Sequence, residues 1–116
     1  MAEYSTSQDG DITILAISGR IEPDNWQELH HEFQTITDVE GMKDLVVDFE
    51  NLEYTASAGF RELFMVGKKL SRQGGKLAVC SLQGEVRRIF DLAGFATAYP
   101  IFESREAAIA SFRGSA

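Results

Sequence analysis

Leu45-Val46-Val47-Asp48-Phe49-Glu50-Asn51-Leu52-Glu53-Tyr54-Thr55-Ala56-Ser57-Ala58-Gly59-Phe60 is the stretch on which the fold turns. Its opening run, Leu45 to Phe49, is apolar and rich in β-branched and aromatic residues, so it reads as a short buried strand. A polar segment then turns the chain. From Phe60 the period becomes 3.6, with Phe60, Leu63, Phe64, Gly67 and Leu70 on one face of a helix. The reading places a strand over Lys43 to Glu50 and a helix from about Ala58 to Arg72. The junction, Thr55 to Gly59, is made almost wholly of small residues.

Ser57 falls at or near the N-cap of that helix, and two readings stay open. Its hydroxyl can cap a free backbone N–H, a contribution of about 1 kcal/mol. Alternatively, the helix start is a seat for an anion. No Asp or Glu stands just after Ser57, and Ala58 and Gly59 leave the amides accessible. A phosphate carried by Ser57 itself would fill that seat.

Working outward, Ala2 to Ser18 reads as a hairpin with Asp9-Gly10 as its turn signal. Pro23 suits a first helical position, and Trp26, Leu29, Phe33 and Ile36 mark the inner face of the following helix. Beyond the central helix, Gln73-Gly74-Gly75 is a glycine stop after basic residues. Leu77 to Leu82 is a second apolar strand. Glu85 to Ala93 is a short helix with Val86, Ile89 and Phe90 inward, closed by Gly94 with Phe95 folding back. Pro100-Ile101-Phe102 reads as a brief edge strand. Ser104 caps a last helix that packs through Ala108, Ile109 and Phe112. Strands alternating with helices after a hairpin predict an α/β fold with a mixed sheet.

A chain of 116 residues makes one domain and buries about two-thirds of its unfolded surface. The net charge of −7 disfavours nucleic acid and anionic membranes as partners, because both need a basic surface. No apolar run approaches the roughly 20 residues of a membrane span. The opening Met1-Ala2-Glu3-Tyr4-Ser5 lacks the character of a signal peptide, so a cytoplasmic location is expected. Cys80, the single cysteine, reads as a small buried hydrophobe. His30 and His31 invite a metal reading, but adjacent helical side chains point about 100° apart and no third ligand joins them.

Chemistry of an enzyme is not apparent. No Ser–His–Asp or Cys–His set, no nucleophile elbow and no phosphate-binding loop is present, and no cofactor is implied. A binding surface is the stronger expectation. Arg61, Met65, Lys68, Lys69 and Arg72 lie opposite the buried face of the central helix, and an exposed Met among basic residues adapts to a partner groove.

The order strand, Asp48…Leu52-x-Tyr54-x-x-Ser57-x-Gly59, amphipathic helix resembles the phosphorylation loop of STAS domains, above all the bacterial anti-sigma factor antagonists. Gly74-Gly75-Lys76-Leu77 and Glu85-Val86-Arg87 match two later features of that family, and the resemblance runs from Asp11 to Phe112. It implies one STAS domain over 1–116, with a mixed sheet and about four helices packed mainly on one side. It also implies partner switching. The unphosphorylated domain binds an anti-sigma factor that is a serine kinase, phosphorylation at Ser57 releases it, and a serine phosphatase resets the cycle. The family often has an acidic residue before that serine and a hydroxyl residue after it; here they are Ala56 and Ala58. Glu22 stands where relatives often have Asp. The contact set implied is Glu22, Thr55, Ala56, Ala58, Gly59, Phe60, Arg61, Met65 and Lys68. A STAS adaptor subunit without a switch is the alternative, and a small-molecule module the weaker third reading.

Overall fold

Alternation along the strands builds the two sides of the sheet. In the computed structural model, which describes residues 1–113, β1 (Ala2–Asp9) and β2 (Ile12–Ile21) form the opening hairpin. Next come α1 (Trp26–Thr37), β3 (Asp44–Thr55), α2 (Ser57–Arg72), β4 (Leu77–Cys80) and α3 (Gly84–Leu92). A 3₁₀ turn at Phe95–Thr97, β5 (Ile101–Phe102) and α4 (Arg105–Arg113) complete the chain. The sheet order is β1-β2-β3-β4-β5, antiparallel between β1 and β2 and parallel thereafter.

Leu15, Ile17 and Ile21 of β2, Leu45, Val47 and Phe49 of β3, and Leu77 and Val79 of β4 point to one side. They meet Leu29 and Phe33 of α1, Leu63, Val66 and Leu70 of α2, and Val86 and Phe90 of α3. The intervening residues Ile12, Ile14, Val46, Ala78 and Cys80 form a smaller core under Ala108, Ile109 and Phe112 of α4. Burial on both faces explains the near-continuous apolar strands. Three helices thus cover one face and α4 the other, as the resemblance implied.

Several boundaries differ from the expectation. β3 does not turn at Glu50 but runs to Thr55, because β2 continues beside it through two register shifts, one between Ala16 and Ser18 and one between Gly19 and Arg20. Asn51 to Tyr54 are ladder, not loop, with Leu52 buried in the main core. Pro23 lies outside α1. The Asn25 side chain holds Pro23 and Asp24 in a turn instead, accepting from Glu22 N at 2.6 Å and donating to Arg20 O at 3.0 Å. The hairpin turn is Gly10-Asp11, one residue on from the expected pair, and β4 stops at Cys80. The glycine stop is as read: Gly75 N bonds Leu70 O at 2.8 Å. Gly75 also lies so close to the Lys43 carbonyl that a Cβ would overlap it.

Candidate functional site

The carboxyl ends of β2 and β3 bring the β2–α1 turn against the start of α2. Ala56 N donates to Ile21 O at 2.7 Å, which fixes the height at which α2 leaves the sheet. Ala56, not Ser57, is the N-cap, with extended backbone and no capping side chain. Ser57 is therefore the first helical residue. Its hydroxyl makes no cap bond and is exposed, and no acid lies in the first turn. That corrects the capping reading. The Thr55 hydroxyl bonds Ala56 O at 3.0 Å and faces the protein interior.

Burial separates the nine residues implied as contacts. Thr55, Ala56, Gly59 and Phe60 are buried. They form the frame of the junction and offer a partner no side chain in this conformation. Gly59 packs against Thr55 Oγ1 and Ile21, leaving no room for a Cβ. Phe60 meets Phe90 with ring centroids 4.4 Å apart. Glu22 and Ala58 are half-buried, and Arg61, Met65 and Lys68 are exposed. With Ser57 and Arg72, these last three form a stripe along the outer face of α2, spaced by three or four residues. Lys69 is not part of it, since it reaches Asp38 at the end of α1 at 2.8 Å. A chain of net charge −7 thus carries a local cationic stripe, broken by Met65, at 52% exposure.

Sequence reasoning missed two neighbours. Arg20, at the end of β2, stacks over the Tyr54 ring at 4.7 Å and lies 3.8 Å from Glu22. The two side chains meet because the second register shift sets Arg20 beside Tyr54, a pairing with no local signal. Glu62 is buried in α2 and bonds His30 Nδ1 of α1 at 2.7 Å. His30 therefore ties α1 to α2, and no group of metal-ligating side chains occurs among the described residues. The carboxylate of Asp48, also buried, accepts from Arg105 at 2.9 Å and from Glu50 N at 3.0 Å, which anchors the start of α4.

The STAS domain family model matches residues 3–108. Over 102 residues the chain is 35% identical to BtrV of Bordetella bronchiseptica, named as an anti-sigma factor antagonist, covering 88% of this chain and 87% of that one. Among solved structures, an anti-sigma factor antagonist from Mycobacterium paratuberculosis superposes with TM-score 0.89 at 19% identity, over 97% of this chain and 95% of that one. The anti-sigma factor antagonist SpoIIAA in its unphosphorylated form gives TM-score 0.83 at 16% identity, over 98% and 99% of the two chains. The phosphorylated form of the Bacillus cell fate determinant SpoIIAA gives 0.74 at 14% identity, over 96% and 100%. At such identities the structures share the fold, while the family model and BtrV speak to descent. The chain belongs to the STAS domain family, alongside the anti-sigma factor antagonists.

Proposed function

We infer that this protein is an anti-sigma factor antagonist that works by partner switching, with Ser57 as phosphoacceptor. It acts by binding rather than catalysis. Its partners on this reading are an anti-sigma factor with serine kinase activity and a serine phosphatase, and the kinase's need for ATP puts the exchange in the cytoplasm. No helix among the described residues is long and apolar enough to cross a membrane. One observation carries the reading: Ser57 is exposed at the first position of α2, free of any capping duty, with an acid-free first turn behind it.

The physical consequence is a helix start that accepts a phosphate without rearranging. A phosphoserine brings about −1.5 to −2 charges, which meet the free amides and the positive end of the helix dipole. Ser57, Arg61 and Met65 lie four residues apart on one face, so the phosphate also attracts Arg61. Release then has two sources. Charge and bulk appear inside a closely packed contact, and Arg61 turns from the partner toward the phosphate. Glu22, Ala58, Met65 and Lys68 complete the contact, held in place by Thr55, Ala56, Gly59 and Phe60.

Ser57→Asp and Ser57→Ala test this against wild type with the cognate kinase and ATP. Ser57→Asp is expected to stay folded and lose binding by at least about tenfold, the cost of a charge set into a packed interface. Ser57→Ala is expected to bind, take up no phosphate and melt as wild type does, because no cap bond is removed. Equal affinity for all three chains, or no phosphate on the wild type, replaces the switch with the adaptor reading.

A further inference from the structure

Among the described residues, β1 is one edge of the sheet, with β2 on one side and no strand on the other. Natural edge strands are short, bulged, or carry charged residues or Pro, because free N–H and C=O groups recruit another strand. Of these protections β1 has only two charges, Glu3 and Asp9, near its ends. It is eight residues long, contains no Lys, Arg or Pro, and pairs with β2 without a register shift from Ala2–Gly19 to Asp9–Ile12. The opposite edge, β5, is only two residues long.

The hairpin determines which backbone groups face outward. A two-residue turn joins a hydrogen-bonded pair, here Asp9–Ile12, and bonded and open pairs alternate from there. The bond from Arg20 N to Met1 O, 3.1 Å, at the far end of the ladder keeps this parity. Ala2, Tyr4, Thr6 and Gln8 therefore direct their N–H and C=O groups away from β2.

We propose that a second copy of this chain adds to β1 in antiparallel fashion about a twofold axis at Ser5, joining two five-stranded sheets into one. Outward-facing residues must oppose outward-facing residues, which leaves three central registers, with the axis at Tyr4, Ser5 or Thr6. An axis at Thr6 sets Glu3 against Asp9, two like charges, which is unfavourable. An axis at Tyr4 leaves Gln8 and Asp9 unpaired. An axis at Ser5 uses the whole strand, sets Glu3 against Ser7, and sets Tyr4 against Thr6, an aromatic–β-branched pair. The contact is isologous, so it closes at two copies and does not propagate. β2 separates β1 from the β3–α2 junction, so neither Ser57 nor the α2 stripe is used. Each copy carries −7, and Glu28 and Glu32 of α1 act on Tyr4 near the axis, so added salt strengthens the pairing by screening.

Sedimentation velocity over a concentration series, with three variants, tests the proposal. Wild type is expected to dimerise reversibly, with tighter association as salt rises. Thr6→Pro removes an outward N–H that β2 does not use, a position where edge strands tolerate Pro, so it is expected to weaken dimerisation about tenfold with its melting temperature kept. Ser5→Cys should cross-link on mild oxidation, because open antiparallel pairs bring Cα atoms to about 4.5 Å, within disulfide reach. Thr6→Cys should cross-link at least about tenfold more slowly, being off the axis. Cys80 does not compete, since it is buried with its pKa pushed up to about 12. A wild-type chain that stays monomeric throughout, or Thr6→Cys linking as fast as Ser5→Cys, overturns the proposal.

Discussion

Gly59 shows how one missing methyl group sets the geometry around Ser57. A Cβ there would overlap Thr55 Oγ1 and come within 3.3 Å of Ile21 Cγ2. Gly59→Ala improves helix propensity by about 1 kcal/mol. Overpacking a buried contact costs about 1–3 kcal/mol, and Thr55 is itself buried with its hydroxyl donating to Ala56 O at 3.0 Å. Overpacking wins, so a net loss of stability is expected in denaturant titration. Thr55→Ala removes the obstructing hydroxyl, and in that background Gly59→Ala should cost clearly less. Coupling between touching residues runs to about 0.5–3 kcal/mol. Strictly additive losses would mean that Thr55 is not what Gly59 accommodates. The small residues between Thr55 and Gly59 were legible as a junction. Their division into a buried frame and one exposed serine was not, because burial depends on Ile21 and Phe90, which local sequence does not place.

At the scale of the element, α2 has two faces with opposite tasks, and a pair of substitutions separates them. Leu63 is 2% exposed at the centre of the inner face, so Leu63→Ala should lose about 2–5 kcal/mol in a denaturant titration. Met65, half exposed in the cationic stripe, should lose under about 0.5 kcal/mol on Met65→Asp, while binding to the anti-sigma partner falls. An acid there also opposes any acidic surface that Arg61 and Lys68 attract. A thermal loss for Met65→Asp as large as that for Leu63→Ala would contradict the helix register. Undiminished binding would remove the stripe from the interface. The inner face was readable because a 3.6 period records which side meets a core. Glu62 breaks that pattern: it is buried on an apolar face, with its carboxylate hydrogen-bonded to His30 Nδ1 of another helix.

Two weak acids buried on opposite sides of the sheet give the whole molecule an alkaline limit. Burial pushes the Cys80 thiol from 9.0 up to about 12, with the nearby Asp48 charge adding to it. Tyr4 rises from 10.0 to about 12 through burial, then through Glu28 and Glu32. In both cases the unfolded chain gives up its proton at lower pH than the folded one, so the folded state binds more protons in between. Stability is then whole below about pH 9 and falls as pH climbs toward 12. Urea midpoints at pH 8, 9, 10 and 11 should show the decline starting above 9, with Cys80→Ala removing its earliest part and Tyr4→Phe the part above 10. A decline of unchanged slope in both variants would assign it to other groups.

Periodicity and turn chemistry in the sequence alone determined the strand–helix alternation, the inner face of each helix, the stop at Gly74-Gly75 and the start of α2 beside Ser57. Each is a local matter, decided by which side of an element is apolar and where the backbone needs a small residue. The tertiary structure alone decided that β3 extends to Thr55, since the mostly polar Asn51 to Tyr54 become strand only when β2 shifts register to stay beside them. It alone decided that Ser57 is uncapped and exposed, since Ala56 is held by Ile21 from a different strand. It alone paired His30 with Glu62 across 32 residues and Arg105 with Asp48 across 57. A pattern along the chain tells each residue which way to face; what it faces is settled only when distant segments share one core.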